Sequence, residues 1–351
     1  MVIVERCFRK KGFSREVYSR IARANRKSSL AVYESKWTVF CAWCRSRKTS
    51  PFKATAPLIS EFLLEKFKEG NAYSTLTGYR TAIAKTLKPK LGVDFGVDQG
   101  LTALLNSFAI ERPRSRNPIP NWDLSLVLNA LLGAPFEPLE KASLKYLTWK
   151  VVFLLALASG KRRSELHALA FDRIAWKEDG SSVKLGVIPS FVAKTQLAFM
   201  PAMTFSIPAL STSLGQGMEE DVKLCPVRAL RVYVDRTREL HIGKKLLFVS
   251  YQKNFSKDIR APTISGWIKK CVIYCYEQAA GARSGSFRVR AHDVRALAAS
   301  LAFHHHVPIT EIMEACSWSS HNTFTTYYLQ DSSWRTDGGL SLGAVAAQAR
   351  L

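Results

Sequence analysis

AHDVRALAASLAFHHHVPITEIMEACSWSSHNTFTTYYLQD, residues 291–331, governs how the rest of the chain is read. It sets a His-x-x-Arg step (His292, Arg295), a tryptophan (Trp318) and adjacent tyrosines (Tyr327, Tyr328) in that order. Each residue type suits a phosphodiester. Arginine stays charged, and its planar fork matches two phosphate oxygens. A histidine one helical turn earlier shares its face and can grip the same phosphate. A tyrosine hydroxyl beside that phosphate is a nucleophile able to split a transesterification into two steps. Taken alone, His-x-x-Arg suits a surface helix equally well, so the step needs company.

Company comes at SGKRRSELHAL, residues 159–169, where arginines follow an almost wholly apolar helical run. With His292, Arg295, Trp318 and the C-terminal tyrosines, this ordered set resembles the tyrosine recombinase (phage integrase) superfamily, whose signature runs Arg, Lys, His-x-x-Arg, His or Trp, Tyr. SWSSHNTFTTYYLQD, YESKWTVFCAWC and STLTGYRTAIAK look most like the recombinases of eukaryotic DIRS-like, Ngaro and Crypton mobile elements. The likeness spans nearly the whole chain. It implies a mostly α fold with a small β-sheet, in which a helical, SAM-like core-binding bundle precedes an α+β catalytic domain.

Aligning SGKRRSEL with G-x-R-x-x-E-L places the first catalytic arginine at Arg162 and its supporting acid at Glu165, three residues on and within reach of the guanidinium. Arg163 becomes a solvent-facing neighbour. The family's catalytic lysine lies on a β-hairpin, which makes Lys194 the candidate. The resemblance implies that Arg162 and Arg295 stabilise charge on nonbridging oxygens, His292 assists proton transfer, Lys194 protonates the departing 5′ oxygen, and Trp318 supports the phosphate by packing and its indole N–H. No metal, cofactor or nucleotide hydrolysis is implied. Between the tyrosines, a nine-residue spacing from Trp318 selects Tyr327, whereas W-x-S-x-x-T-F-x-x-x-Y-L selects Tyr328. Thr323, Phe324 and Leu329 favour Tyr328, with Tyr327 the alternative; adjacent helical residues point about 100° apart, so one of the two faces the phosphate.

Composition agrees with a polyanion partner. The 351 residues carry 51 Lys+Arg against 28 Asp+Glu, a net +23, and 47% are hydrophobic, enough for two cores. Residues 1–116 hold 23 Lys+Arg against 9 Asp+Glu, a net +14, leaving +9 for the longer remainder. Double-stranded DNA is the expected partner, with a dimer on a site and a tetramer in a synapse implied by the family. Seven cysteines without a paired framework suit reduced, intracellular thiols, and a eukaryotic element would act in the nucleus. Cys41-x-x-Cys44 sits among Trp37, Phe40 and Trp43 and is expected in a helix core. His304-His305-His306 has no ligand partners at metal spacing and is expected in a surface turn. No apolar run nears the roughly 20 residues that cross a bilayer, and the first residues lack signal-peptide shape.

Along the chain, Ser14–Thr49 is expected to be helical, with Tyr33, Trp37, Phe40 and Cys44 as its apolar stripe. A second helix carries Ile59, Phe62, Leu63 and Phe67, a third starts with Ser74 as N-cap, and Leu101–Ile110 completes a bundle. This core-binding domain, residues 1–110, offers Arg45, Arg47, Lys48, Arg80 and Lys85 to DNA phosphates. ERPRSRNPIP, residues 111–120, is expected to be a linker whose Arg112, Arg114 and Arg116 lie along DNA as two domains clamp it. The catalytic domain, residues 121–351, opens with helices over Trp122–Leu132 and Leu144–Ser159. Strands follow over 182–192 and 199–207, with Lys194-Thr195-Gln196 turning between them, and then helices begin at Cys225 and after Pro262. Two rival functions remain: a type IB topoisomerase-like nicking-closing enzyme, and a domesticated DNA-binding protein without catalysis.

Overall fold

The computed structural model describes residues 7–23, 27–113, 122–194, 201–210, 219–252, 258–279 and 289–329. The chain divides into two compact units, Met1–Ser115 and Arg116–Leu351.

In the first unit the helices are α1 (Arg15–Arg23), α2 (Lys27–Ser46), α3 (Ala56–Lys68), α4 (Tyr73–Leu91) and α5 (Gln99–Glu111). Their ends follow local chemistry. Asp98 caps α5 by accepting from the Leu101 N–H at 2.8 Å, Thr55 accepts from the Leu58 N–H to start α3, and Gly92 ends α4 in the left-handed region at φ 73°. Ser74 is not the N-cap of α4. Ala72 holds that position, its carbonyl accepting from the Thr75 and Leu76 amides, and Ser74 lies inside the first turn. The core is aromatic, with fully buried Phe62 meeting the rings of Phe40, Trp43 and Tyr79 at 5.1, 5.3 and 5.2 Å. Phe62→Ala would cost this unit about 3–5 kcal/mol through the cavity it leaves. Cys44 is buried on the same stripe and Cys41 half-buried beside it, as thiols of a helix core.

The second unit is organised around an apolar helix. After α6 (Leu124–Leu131) comes α7 (Leu144–Ser159), hydrophobic on every side from Val151 to Ala156 and therefore enclosed by its neighbours. Its one interior charge is satisfied locally: Lys150 Nζ donates to Leu131 O at 2.7 Å and to Glu137 Oε1 at 2.6 Å, and Glu137 also pairs with Arg228. Gly160 ends α7 at φ 56°, and the short helix α8 (Arg163–His167) turns away from it.

A three-stranded antiparallel sheet follows in the order β1 (Leu169–Trp176), β2 (Ser182–Val187) and β3 (Thr204–Pro208). Trp176 pairs with Val183, and Gly186 with Thr204. The expected strands are longer than those found: regular pairing of β2 stops at Val187, short of Pro189, and β3 starts at Thr204, beyond Pro201. Proline has no amide proton to continue a ladder. β1 was hidden by its polar positions Asp172 and Arg173, which fall where the pairing register shifts. The remaining helices are α9 (Glu219–Leu224), α10 (Pro226–Thr237), α11 (Ala261–Ala279), α12 (Ala291–His304), α13 (Ile309–Ala315) and α14 (His321–Tyr327). α11 takes Pro262 into its first turn, where a missing N–H costs nothing. α10, α11 and α12 all pack on α7. The unit is thus mostly helical with one small sheet.

Candidate active site

The site forms where the chain leaves α7 and where it turns from α13 into α14. Arg295, on α12 and only 1% exposed, lies between the two corners and donates to both: Nη1 to the Gly160 carbonyl and Nη2 to the Cys316 carbonyl. The corners approach so closely that a Cβ on Gly160 would meet Cys316 Sγ at 2.7 Å, and the left-handed φ is itself a glycine conformation. Glycine is therefore required twice over at this position.

Arg162 is organised by Glu165, which is fully buried. Arg162 Nη1 donates to Glu165 Oε1 and its backbone N–H to Glu165 Oε2, both at 2.8 Å, so one carboxylate fixes both the start of α8 and the guanidinium. The same carboxylate stands 3.8 Å from Arg295 Nη1. Two arginines from helices far apart in sequence thus share one acid. Arg163 is exposed, its Nη1 reaching Ser265 Oγ at 3.4 Å.

Trp318 and Tyr328 cover Arg295. The Arg295 guanidinium lies 4.8 Å from the Trp318 ring and 5.4 Å from that of Tyr328, and the two rings are 4.5 Å apart. Phe324, fully buried, packs against Trp318 one turn before Tyr328, and Leu329 joins the same cluster. A buried Phe324 and the i, i+4 relation bring Tyr328 to the pocket side of α14, and Ser300 Oγ donates to its carbonyl at 3.1 Å. Tyr328 Oη stands 3.2 Å from His292 Nε2. Tyr327 ends α14, and its side chain is outside the described residues.

His292 has its pKa held below the ordinary histidine value by desolvation and then by the positive charges of Arg295, Arg162, Arg163 and Lys194. A neutral imidazole at this position can accept a proton from the tyrosine hydroxyl. Two donors are left over: Arg295 Nε and Trp318 Nε1 are buried without a hydrogen-bond partner. Burying unpaired donors is costly, and both belong to the cluster in which Arg295 lies over the Trp318 ring.

Lys194 sits after β2 at an exposed turn, near enough for its charge to act on His292. Thr195 and Gln196 fall outside the described residues. In the first unit, Arg45, Lys48 and Lys85 are exposed. Arg47 is paired with Glu65 and lies 4.7 Å over the Trp43 ring, and Arg80 donates to Thr102 Oγ1 at 2.8 Å. Arg112 caps α5 and lies 4.2 Å over the Phe67 ring, so the stretch expected to be a linker begins as part of this unit. Arg114 and Arg116 lie outside the described residues. His304 ends α12 and His305 and His306 follow it, all three exposed, and no cluster of three or more potential metal ligands occurs among the described residues. No described helix is long and apolar enough to cross a membrane.

One member of the cluster escaped the sequence reading. Lys161, an unspecified position of G-x-R-x-x-E-L, is 6% exposed, and its Nζ donates to Ser317 Oγ at 2.9 Å. Its signal was positional, since it follows the glycine that ends a buried helix and so starts inside the protein.

No known family profile matches the chain, and no curated protein matches it in sequence. Solved structures do match in shape. A lambda integrase (75–356) dimer bound to a COC′ core site is 14% identical with a TM-score of 0.54, covering 93% of this chain and 97% of that one. The Tn1549 transposon integrase (82–397) in complex with circular intermediate DNA is 12% identical with a TM-score of 0.55, covering 99% and 98%. The XerH site-specific recombinase in its post-cleavage complex with palindromic difH substrate is 13% identical with a TM-score of 0.57, covering 89% and 79%. Identities this low speak to architecture alone, and in architecture this mostly helical chain with its three-stranded sheet has the integrase fold.

Proposed function

We propose that this chain is a tyrosine recombinase that cleaves and rejoins DNA strands through a 3′-phosphotyrosine. The observation that carries the reading is Tyr328 Oη at 3.2 Å from His292 Nε2, with its ring over the buried Arg295 guanidinium. A hydroxyl, a base able to take its proton and a fixed cation meet at one point, which is what nucleophilic attack on a phosphodiester needs. In the step proposed, Tyr328 Oη bonds to phosphorus as its proton leaves toward His292. The bond from phosphorus to the 5′ oxygen breaks, and Lys194 protonates that oxygen. Arg162 and Arg295 hold the nonbridging oxygens, with Glu165 orienting Arg162 and Trp318 Nε1 donating to the phosphate. Attack by a 5′ hydroxyl of another strand releases the tyrosine and completes strand exchange.

The basic first unit supports duplex DNA as substrate, with Arg45, Lys48 and Lys85 exposed for phosphate contacts. Arg47, Arg80 and Arg112 would have to exchange their internal partners for phosphate oxygens. Arg114 and Arg116 are proposed as further phosphate contacts on the strength of the resemblance. A lambda integrase tetramer has been solved on a Holliday junction; here too the reading is a dimer on a site and a tetramer in a synapse. The motifs around Trp318 and Tyr328 favour an integrating mobile element of the DIRS-like, Ngaro or Crypton kind, acting in the nucleus of a eukaryotic host. The two-domain division at residues 110 and 120 is part of the same reading.

Incubation with a nicked suicide duplex, whose cleaved 5′ end diffuses away, tests the proposal. A covalent complex is expected, with the nucleotide remnant on Tyr328 in the digested peptide. A remnant on Tyr327 would move the nucleophile by one residue; no adduct on any sequence from a randomised library would remove the enzymatic reading.

A further inference from the structure

Lys161 is a buried ammonium whose hydrogen bond goes to a hydroxyl, Ser317 Oγ, with the Phe205 ring of β3 at 5.0 Å on another side. A charge taken out of water onto a neutral partner is expensive unless something compensates it. The carboxylate in the cluster, Glu165, is already committed to Arg162 at 2.8 Å and approached by Arg295 at 3.8 Å. Three cations therefore surround one acid in a pocket that also leaves Arg295 Nε and Trp318 Nε1 without acceptors. Both the surplus charge and the idle donors call for an anion. Lys161 also has a mechanical place, because Ser317 takes an unfavourable left-handed φ of 52° immediately before Trp318. Its ammonium holds that turn to the corner at Gly160.

We propose that Lys161 is a positioning residue for DNA cleavage: it clamps the Ser317 turn, and with it the Trp318 indole, against the arginine pocket, and it adds a third positive charge facing the bound phosphate. This rests on the recombinase reading above. Burial pushes the Lys161 pKa below the ordinary lysine value; Glu165 and Cys316 oppose the shift, and Arg295 and Arg162 add to it. These are the charged and titratable groups that face it. The charged form is the working form, so its contribution is lost as pH rises through the lowered pKa.

The test compares the full chain with its Lys161→Met and Lys161→Arg variants on the suicide duplex. Lys161→Met keeps length and removes charge and clamp. Its cleavage rate at saturating protein should fall by about 10²-fold, the low end for losing one preorganised electrostatic contact. DNA affinity should change less than about threefold, one cation among many. On a 5′-thiolate substrate, which needs no proton from Lys194, the alkaline fall in wild-type rate should be absent from Lys161→Met, and Lys161→Arg should recover part of the rate. The loss should persist on a 5′-thiolate leaving group, which separates Lys161 from a proton donor. Cleavage at the wild-type rate in Lys161→Met, or an alkaline limb that it leaves in place on the 5′-thiolate, overturns the proposal. So does a rate loss matched by an equal loss of folded protein in circular dichroism. Should the wild-type chain form no adduct, the recombinase reading fails by itself and a second arm judges Lys161. Inorganic phosphate should raise the melting temperature of wild type more than that of Lys161→Met, and equal shifts reject the charge assignment.

Discussion

Replacing Glu165 with glutamine asks how much of this site is held by one carboxylate. Glu165 is fully buried; one oxygen receives Arg162 Nη1, the other the Arg162 backbone N–H, each at 2.8 Å, and Arg295 Nη1 lies 3.8 Å away. Glutamine keeps the volume but offers one acceptor and one donor, so either the Arg162 guanidinium or its amide then faces an NH2 group. Breaking a buried ion pair by removing one partner costs about 3–5 kcal/mol. The retained shape and one retained hydrogen bond argue for the lower end, about 3 kcal/mol. With a urea dependence of about 2 kcal/mol per molar, the midpoint should fall by about 1.5 M. The assay is a urea titration of the full chain, read by hydrogen exchange in peptides from α7 and α12 so that the second unit reports alone. Glu65→Gln is the control: its pair with Arg47 is open to water, and the same chemical change should barely move the first unit's midpoint. A shift in Glu165→Gln no larger than that in Glu65→Gln would refute the idea that this acid organises the pocket.

Three other outcomes are expected. Because surrounding groups lower the pKa of His292, the cleavage rate should stay high through neutral pH and fall only as acid protonates the ring below the usual histidine range; His292→Gln should be slower by about 10²-fold and lose that acid limb, and a limb that survives would acquit the histidine. Lys194→Ala should cripple cleavage of an ordinary phosphodiester yet spare a 5′-thiolate, whose low pKa needs no acid; equal loss on both assigns Lys194 to binding or folding. Duplex affinity should fall steeply with salt, and Lys85→Ala should lower the slope of log affinity against log salt by about one, so an unchanged slope would take Lys85 out of the interface.

The sequence by itself determined the polarity of the molecule and the identity of most candidate residues. A +14 charge over the first 116 residues, the all-apolar Val151–Ala156 run and the ordered text GKRRSEL, HDVR, SWSS and YYL are local properties, and local properties survive without a fold. Phe324 one turn before Tyr328 even pointed to the tyrosine that meets His292, since helical periodicity fixes which neighbours share a face. Tertiary structure alone decided where charges end up. Arg47 and Arg112 read as free cations and proved to be engaged with Glu65, Trp43 and Phe67, while Lys161, to which the motif gave no role, proved to be buried against Ser317, 156 residues away. Strand β1 was equally invisible, because its polar residues fall where the pairing with β2 is irregular. Charge and pattern are carried by each residue, but burial belongs to whatever the rest of the chain places around it; composition does not encode that, and close packing does.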